Sequence, residues 1–368
     1  MASRNLHLHS ACMRYLAFFV GALYLFPACA DTDSRSDYQM PDFPNMGHAK
    51  VHLITGELMA NMANDIFEHG QYLYVIYYDR KDQTWCHVYD KRTGAATGDY
   101  FHRGNGPGEI FTIPACSARG DSLFIYDLPV RKQISCSFSS MHEEFLSPTV
   151  SILDIKPYAR NACACGPTGE ESIILNQIGY AHPDTMGYHR LMVKDIYGDT
   201  LQTQDFEPFS DPVEMFNLYT ECLMSVNERG NRLAVGSVWG AILEIYDLPA
   251  LRPKACLKLV DPALVYGATP SLTADTKAGL RDLFATDDYL YAAIGADVNL
   301  LSNKEKVSGK ELENNDIYVF DWDGKPVGHL ETDYNIEKMC VTAFRDTIYA
   351  VVSDREKRLY LGYITHKQ

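Results

Sequence analysis

Short apolar runs alternate with polar segments along this chain, and one type of run returns six times. Each run begins with a pair of residues that includes an aromatic or aliphatic side chain, and most follow a polar turn. The runs begin at residues 72, 122, 172, 232, 289 and 347, so successive starts lie 50, 50, 60, 57 and 58 residues apart. A period of roughly 40 to 60 residues built from short strands is typical of a β-propeller. The pattern therefore predicts an all-β fold with one blade for each run.

Each run lies inside a longer unit that has the pattern of a four-stranded sheet. An apolar segment precedes the run, and a turn such as His69-Gly70-Gln71 or Arg119-Gly120-Asp121 separates the two. Glycine, asparagine and aspartate tolerate the positive φ that tight hairpins need. A third strand follows the run, and a more polar fourth strand leads to the next unit. We predict a six-bladed β-propeller whose four-stranded blades start near residues 60, 111, 158, 218, 279 and 336, with the repeated run as the second strand of each blade.

The sixth unit contains only three predicted strands before residue 368. Residues 50–55 (KVHLIT) alternate as a half-buried strand does, and they belong to no blade. We predict that this N-terminal strand pairs into the last blade as its outer strand. Such pairing closes the ring and removes an exposed sheet edge.

The N-terminal residues predict export. Arg14 precedes the apolar stretch 15–26, which Pro27, Ala28 and Cys29 follow. A basic residue, a short apolar run and a small residue before the cleavage site are the features of a signal peptide, and the run is too short to span a bilayer. We expect residues 1–28 to be a signal peptide, Cys29 to carry a lipid, residues 29–47 to form a flexible tether and residues 48–368 to form a single propeller domain. Ordinary secretion without a lipid is the alternative.

The net charge narrows the classes of partner. The formal net charge is -15, from 33 basic and 48 acidic residues. A surface of this sign repels phosphate backbones and anionic lipid headgroups, so we expect no nucleic-acid partner and membrane contact only through an N-terminal lipid anchor.

The eight cysteines beyond Cys29 include no C-x-x-C pair, and we expect most of them to be small buried hydrophobic residues.

A glycine-rich motif at residues 102–109 (HRGNGPGE) resembles a phosphate-binding loop only superficially. Its glycines alternate, and a strand pattern follows where the dinucleotide fingerprint requires a helix. We interpret the motif as a tight crossing between blades, in which glycine also lets a ligand approach the backbone. The acidic segment 321–324 (DWDG) lacks the further oxygen ligands of a calcium loop, and the histidines show no zinc-binding spacing. We expect no metal and no cofactor.

Two segments carry a family resemblance. The motif Arg103-Gly104-Asn105-Gly106-Pro107-Gly108-Glu109 and the later stretch 316–327 (DIYVFDWDGKPV) resemble the TolB-like six-bladed propeller lipoproteins of Gram-negative bacteria. The resemblance covers essentially the whole mature chain. It implies the six-bladed fold and an address in the cell envelope, on the periplasmic side or at the cell surface. It supplies no catalytic motif.

Propellers usually bind ligands at the mouth of the central channel, on the face that carries the crossings between blades and the loops joining second to third strands. A tryptophan in such a loop can stack on a sugar or an apolar partner, and charged side chains can add polar contacts. The residues that we predict to bind a ligand on this face are Arg103, Asn105, Glu109, Arg131, Trp239 and Arg355.

Two hypotheses about function follow. The first is an extracytoplasmic lipoprotein that acts as a non-catalytic binding or scaffold propeller for a protein, peptide or glycan. The alternative is a propeller enzyme (a lyase, lactonase or glycan hydrolase) with its site at the channel mouth. The enzyme hypothesis requires a metal, or paired ionisable groups within hydrogen-bond reach. No G-x-S-x-G or H-E-x-x-H motif is present in the sequence to support it.

Overall fold

The computed structural model describes residues 38–143, 146–153, 159–166, 172–177, 191–195, 199–204, 222–262, 276–295, 315–342 and 346–365. The predicted signal peptide, Cys29 and the first part of the predicted tether lie outside these residues, as does most of the long insertion after residue 295. Among the described residues, no helix is long and apolar enough to cross a membrane.

The strands form six antiparallel sheets, which we name blades I to VI in chain order. Blade I contains β3 (Asp65–His69), β4 (Tyr72–Asp79), β5 (Thr84–Asp90) and β6 (Ala96–His102). Blade II contains β7 (Ala115–Arg119), β8 (Ser122–Asp127), β9 (Lys132–Ser137) and β10 (Thr149–Ile152). Blade III contains β11 (Ala159–Cys165), β12 (Ser172–Gln177), β13 (Leu191–Asp195) and β14 (Thr200–Gln204). Short 3-10 helices at Leu128–Val130 and Ser139–His142 flank β9.

The second half of the chain repeats this architecture. Blade IV contains β15 (Cys222–Val226), β16 (Arg232–Ser237), β17 (Ala241–Asp247) and β18 (Arg252–Val260). Blade V contains β19 (Leu280–Ala285), β20 (Tyr289–Ile294), β21 (Asp316–Asp321) and β22 (Pro326–Thr332). Blade VI contains β23 (Asn335–Val341), β24 (Thr347–Ser353) and β25 (Leu359–Thr365). The prediction of a six-bladed propeller is confirmed, and each repeated run is the second strand of its blade.

Two strands at the N-terminal end add to the outer edges of blades V and VI. They are β1 (Asn45–Ala49) and β2 (His52–Leu58). Strand β2 pairs antiparallel with β25, with Leu58 opposite Leu359 and His52 opposite Tyr363, so the N-terminal strand closes the ring as predicted. Because this pairing joins the two ends of the propeller, it covers the edge that blade VI would otherwise expose.

The segment just before β2 also packs against the propeller. Strand β1 pairs in parallel with β22 and becomes a fifth strand of blade V. The Gln39 N–H donates to the Lys258 carbonyl of blade IV at 2.9 Å, and the Phe43 ring lies 4.9 Å from the Tyr318 ring. Residues 38–47 are the described part of the segment predicted as a tether, and their Met40 and Phe43 side chains pack against the hydrophobic cluster of blades IV and V. A tether over residues 29–47 as a whole stays a prediction.

The hydrophobic core consists of layers between neighbouring blades. The second and third strands supply most of it, and Tyr74, Phe124, Tyr291 and Phe320 are among its largest buried side chains. These side chains stand perpendicular to their sheets and interdigitate with those of the next blade. All eight described cysteines are free thiols; six are buried, Cys116 is half-buried and Cys256 is exposed. The expectation that most of them fill the core is confirmed.

Candidate functional site

The first strands of the six blades surround a central channel. Its cavity of about 950 Å³ is lined by β3, β7, β11, β15, β19 and β23 together with the residues that precede β3 and β7. We call the face that carries the crossings between blades the mouth face, and the opposite face the turn face. Each first strand runs from the mouth face to the turn face, so a residue's position along its strand gives its depth in the channel.

One layer of channel-lining residues is defined by strand register. In every blade, one residue of the first strand lies opposite the fifth residue of the second strand. These six residues occupy equivalent positions in the blades and all line the cavity. In the order of blades I to VI they are Asp65, Ala115, Asn161, Leu223, Asp282 and Lys338. Blades V, VI and I are neighbours in the ring, so the three charged residues form one continuous arc, which faces three neutral residues.

Two members of this charged arc are paired with each other. The Lys338 Nζ donates to Asp282 Oδ1 at 3.0 Å, and the Met339 N–H donates to Asp282 Oδ2 at 2.7 Å. Burial lowers the pKa of Lys338, but the charges of Asp282 and Asp65 outweigh that effect and raise it overall. Both Asp282 oxygens therefore have donors, and the lysine is held in its charged form.

Asp65 is the member of the arc that forms no ion pair with any described residue. Among the described residues, its carboxylate has one hydrogen bond, from the N–H of the adjacent Ile66 at 2.9 Å. Burial raises the pKa of Asp65 to about 7; Asp282 raises it further, while Lys338 opposes the shift. The neighbouring Asn64 also lines the cavity, and its buried Nδ2 has no hydrogen-bond partner. This side of the channel thus holds a poorly solvated carboxyl group beside an unused amide donor.

The layer beneath the charged arc explains the poor solvation of Asp65. Two residues further along each first strand, the side chain again points into the channel. In blades V, VI and I these residues are Phe284, Cys340 and Phe67, whereas Ser117 and Ser225 occupy the same layer on the opposite side. The arc therefore lies directly above apolar side chains.

Serine and asparagine side chains in these layers hold the first strands together. Ser117 Oγ accepts a hydrogen bond from the Ala164 N–H at 2.9 Å, and Asn161 Nδ2 donates to the Cys222 carbonyl at 2.8 Å. Ser225 Oγ accepts from the Ala285 N–H at 3.0 Å. Neutral side chains thus link blades II to III, III to IV and IV to V, the same role that Asp282 performs between blades V and VI.

Exposed apolar side chains lie on three successive crossings of the mouth face. Met62 and Ile113 lie in the crossings that lead into blades I and II, are more than half exposed, and also line the cavity. Met59, Phe111 and Ile152, on or beside crossings of the same face, are further large exposed apolar residues. We call these five residues the apolar rim. Exposed apolar side chains grouped in this way are typical of a binding surface.

A buried arginine lies at the turn-face end of the channel. Arg119 ends β7 and donates to the carbonyls of Ala164 in blade III and Asn227 in blade IV. Burial lowers the pKa of Arg119. Its guanidinium donors are used by backbone carbonyls of blades III and IV, so this side chain of blade II links three blades at the turn-face end of the channel.

The glycine-rich crossing is a self-supporting loop on the mouth face. The carboxylate of Glu109 accepts from the Gly106 N–H at 2.7 Å, and a Cβ on Gly104 would lie 2.0 Å from the same carboxylate. The buried amine of Lys132 donates to the carbonyls of Gly106 at 3.0 Å and Glu109 at 2.5 Å. Arg103 lies 5.4 Å from the centre of the Tyr78 ring, and Asn105 is exposed. The interpretation of this motif as a tight crossing agrees with these contacts.

The remaining predicted residues lie on loops of the same face. Arg131 is exposed and has a left-handed backbone (φ 56°) at the end of a 3-10 helix. Trp239 is half-buried, and its backbone forms a bridge with Ala278. Arg355 is exposed in the β24–β25 connection. None of the six predicted residues lines the cavity, so the structure places them around the channel without bringing them together, and their contact with a ligand stays a prediction.

Sequence reasoning missed the charged arc, although a signal for it was present. Asp65 and Asp282 each stand seven residues before the repeated run of their blade, and Lys338 stands nine before. The offset differs because the turn between the first two strands differs in length. Once the runs are aligned, a charged residue at the inner strand of three successive blades could have been noticed.

The arc satisfies one requirement of the enzyme hypothesis, since Lys338 and Asp282 are ionisable groups within hydrogen-bond distance. A metal site is a separate question. Over the described ranges, no group of three or more histidine, cysteine, aspartate or glutamate side chains is arranged to hold a metal ion.

Comparisons with known proteins agree with this architecture. A comparison with curated proteins found no significant match. A Bacteroides fragilis NCTC 9343 protein with the provisional description of an exported protein is 12% identical, with a TM-score of 0.54, and the alignment covers 90% of this chain and 99% of that one. A duf4221-family member from Bacteroides vulgatus is 13% identical, with a TM-score of 0.50 over 87% and 96% of the two chains. At these identities the likeness shows the fold alone.

A family model gives the stronger result. The model of the TolB-like 6-blade propeller-like family matches residues 42–343, which are 302 of the 368 residues. The match begins within the N-terminal segment that packs on blades IV and V and ends in blade VI. Together with the six closed blades, it shows that the chain belongs to the TolB-like six-bladed propeller family.

Proposed function

We propose that this protein is an extracytoplasmic binding propeller whose channel mouth holds a peptide segment of a partner protein. The observation that carries the proposal is that exposed apolar side chains of the rim also line the mouth-face end of the channel. Met62 and Ile113 belong to both, so a ligand that enters the cavity contacts apolar side chains first and the charged arc next. A peptide offers apolar side chains and polar backbone groups within a few ångströms of each other.

The chemistry of the rim favours a peptide over a glycan. Four of the five rim residues are methionine or isoleucine, which pack against many apolar shapes. Sugar rings are usually bound by stacking on a flat aromatic face, which Phe111 alone in the rim offers. Trp239, the tryptophan predicted to stack on a sugar, is half-buried and lies outside the cavity. A glycan partner therefore has less support than a peptide.

The cellular address rests on the N-terminal sequence. The basic and apolar residues before Ala28 support export, and Cys29 supports a lipid anchor in the cell envelope. A Cys29→Ala variant is expected to leave the membrane fraction after cell breakage, while the unchanged chain stays with it. Equal membrane association of the two proteins would contradict the lipid anchor.

A library of immobilised dodecapeptides tests the proposed function. The purified chain is expected to bind a subset of peptides, and the Met62→Gln and Ile113→Gln variants are expected to bind the same peptides several-fold more weakly, because each removes an apolar contact. Leu201→Gln is the matched control, since Leu201 is an exposed leucine on the outer strand β14 and lies outside the cavity. Binding that Leu201→Gln weakens as much as the rim variants do would contradict a site at the channel mouth.

Acid–base catalysis is a second candidate, favoured by one observation. A carboxyl group with a pKa near neutrality, beside a lysine in a cavity, is suited to proton transfer at physiological pH. A panel of lactone and glycoside substrates tests this candidate, with loss of turnover in Asp65→Asn as the expected result. Absence of turnover across the panel, in a preparation that binds peptide, would exclude these two substrate classes.

A further inference from the structure

We infer that the peptide presents a primary ammonium group, from a lysine side chain or a chain N terminus, to the carboxylate of Asp65. The inference rests on the proposed function and names the chemical group that the same site recognises. Its support is the hydrogen-bonding capacity that Asp65 and Asn64 leave unused in the channel wall.

The Asp65 carboxylate has unused acceptor capacity that a bound cation could fill. Within the described part of the chain, its carboxylate accepts one hydrogen bond, from the Ile66 N–H. Asp282 has donors on both of its oxygens, so it has less capacity for a new one. An ammonium group at Asp65 supplies a charge-assisted hydrogen bond to a carboxylate that lies above apolar side chains, where such a bond is strong.

An anionic ligand fits the arc less well. The arc contains two carboxylates and one amine, and the amine of Lys338 is already bonded to Asp282. An added carboxylate would meet the negative charges of Asp65 and Asp282 in a poorly solvated channel. The whole chain is also acidic, with a net charge of -15, so its long-range field attracts cationic rather than anionic segments.

The unused donor beside Asp65 matches a peptide backbone. The buried Nδ2 of Asn64 finds no acceptor among the residues that the structure describes, and Asn64 directly precedes Asp65 in the chain. A residue with an ammonium group also has a backbone carbonyl nearby, which can accept from Asn64. The apolar rim above would hold the neighbouring side chains, so three features of the site suit one kind of ligand.

Binding of an ammonium group would release a proton from Asp65. The titratable groups that interact with Asp65 are Lys338 and Cys340 of β23, Asp282 of β19 and Cys116 of β7. Beyond these, Arg281 interacts with Lys338 and Glu68 with Cys340. Lys338 is paired with Asp282, and Lys91 is paired with Glu68. Burial raises the pKa of the Cys116 and Cys340 thiols, so both stay neutral. With the pKa of Asp65 at about 7, an added positive charge lowers it and shifts this one group toward the ionised form.

The experiment compares one tetrapeptide-amide library in two forms on the immobilised full chain. In one form all amines are free, and in the other they are acetylated. We expect the free-amine form to be retained and the acetylated form to be retained roughly tenfold to a hundredfold less, the range expected for one charge-assisted hydrogen bond. The tightest tetrapeptide is then titrated by calorimetry at pH 7 in phosphate and in Tris. The two enthalpies should differ by an amount that corresponds to release of up to about half a proton.

Asp65→Asn and Asp65→Ser should lose both the preference for free amines and the proton release. The matched control is Asp82→Asn, which removes the same charge from an exposed loop of blade I, on the same face but outside the cavity. Equal retention of the free and acetylated forms by the unchanged chain overturns the inference while leaving peptide binding intact. A preference for free amines that survives in both Asp65 variants also overturns it. Retention of neither form contradicts the proposed function itself.

Discussion

Replacing Asp65 by asparagine should make the protein more stable at neutral pH and leave its stability unchanged in acid. The side chain keeps almost the same size, so the change removes an ionisable group without leaving a cavity. In the folded protein, burial raises the pKa of Asp65 to about 7, from the ordinary value of 3.8. The folded state therefore binds a proton that the unfolded state has already lost between pH 4 and pH 7.

The sign and size of the effect follow from this difference. Stability decreases with rising pH wherever the folded state holds more protons than the unfolded state. A shift of about 3 pKa units at about 1.4 kcal/mol each gives roughly 4 kcal/mol. The free energy of unfolding of the wild type should fall by this amount between pH 4 and pH 7, whereas that of the Asp65→Asn variant should not. Below pH 4 both proteins carry a neutral side chain at this position, so the difference disappears. For a domain of this size, about 4 kcal/mol corresponds to a difference of roughly 6 °C in Tm.

Thermal unfolding at half-unit steps from pH 4 to pH 8.5 measures the effect. The Tm of Asp65→Asn minus that of the wild type should be near zero at pH 4, rise through pH 5 to 7 and level off above. Asp82→Asn, at an exposed loop position, should show no comparable pH dependence. A Tm difference that stays constant with pH would mean that Asp65 has an ordinary pKa, and the poor solvation inferred for the charged arc would be wrong.

Three further predictions concern the scaffold. Gly279→Ala should prevent folding or lower the Tm severely, because its Cβ would lie 1.3 Å from the Gly240 carbonyl oxygen, whereas Gly56→Ala, with open space around it, should have little effect; equal Tm values would contradict the close approach. Phe43→Ala should cost about 1–3 kcal/mol in urea unfolding, because it removes an aromatic contact on blade V; no loss would mean that residues 38–49 add nothing to stability. Lys132→Met should cost about 2–3 kcal/mol in the same assay, because two backbone carbonyls lose a charged donor; an unchanged midpoint would contradict its role in holding the glycine-rich crossing.

The sequence predicted the fold because the determinants of a blade are local and repeated. Alternating strands and glycine-containing turns recur in every unit, so an error in one unit is corrected by the others. The segment 38–47 gave no such signal. Its prolines and polar residues match a linker. Its few apolar side chains become useful for packing through tertiary contacts, such as that of Phe43 with the half-buried ring of Tyr318 and the pairing of β1 with β22.

The candidate site could not be predicted in the same way, because it depends on alignment across blades. The pairing of each first strand with its second decides which residues lie at the same depth in the channel, here Asp65, Asp282 and Lys338. A shift of one residue would turn the side chain out of the channel. The predicted residues Arg131 and Arg355 were chosen from loops that could be placed by chain order alone, and such loops lie around the channel rather than inside it.

The charged arc is best explained by function, because the scaffold does not require it. Ala115 and Leu223 occupy the same layer in blades II and IV, so a neutral residue is compatible with this position. Ser117 and Ser225 show that neutral side chains also suffice to link neighbouring first strands. Among the described residues Asp65 makes no such link, and its raised pKa predicts that it lowers stability at neutral pH. A group that costs stability, links no strands and faces an open cavity is of the kind retained at binding and catalytic sites.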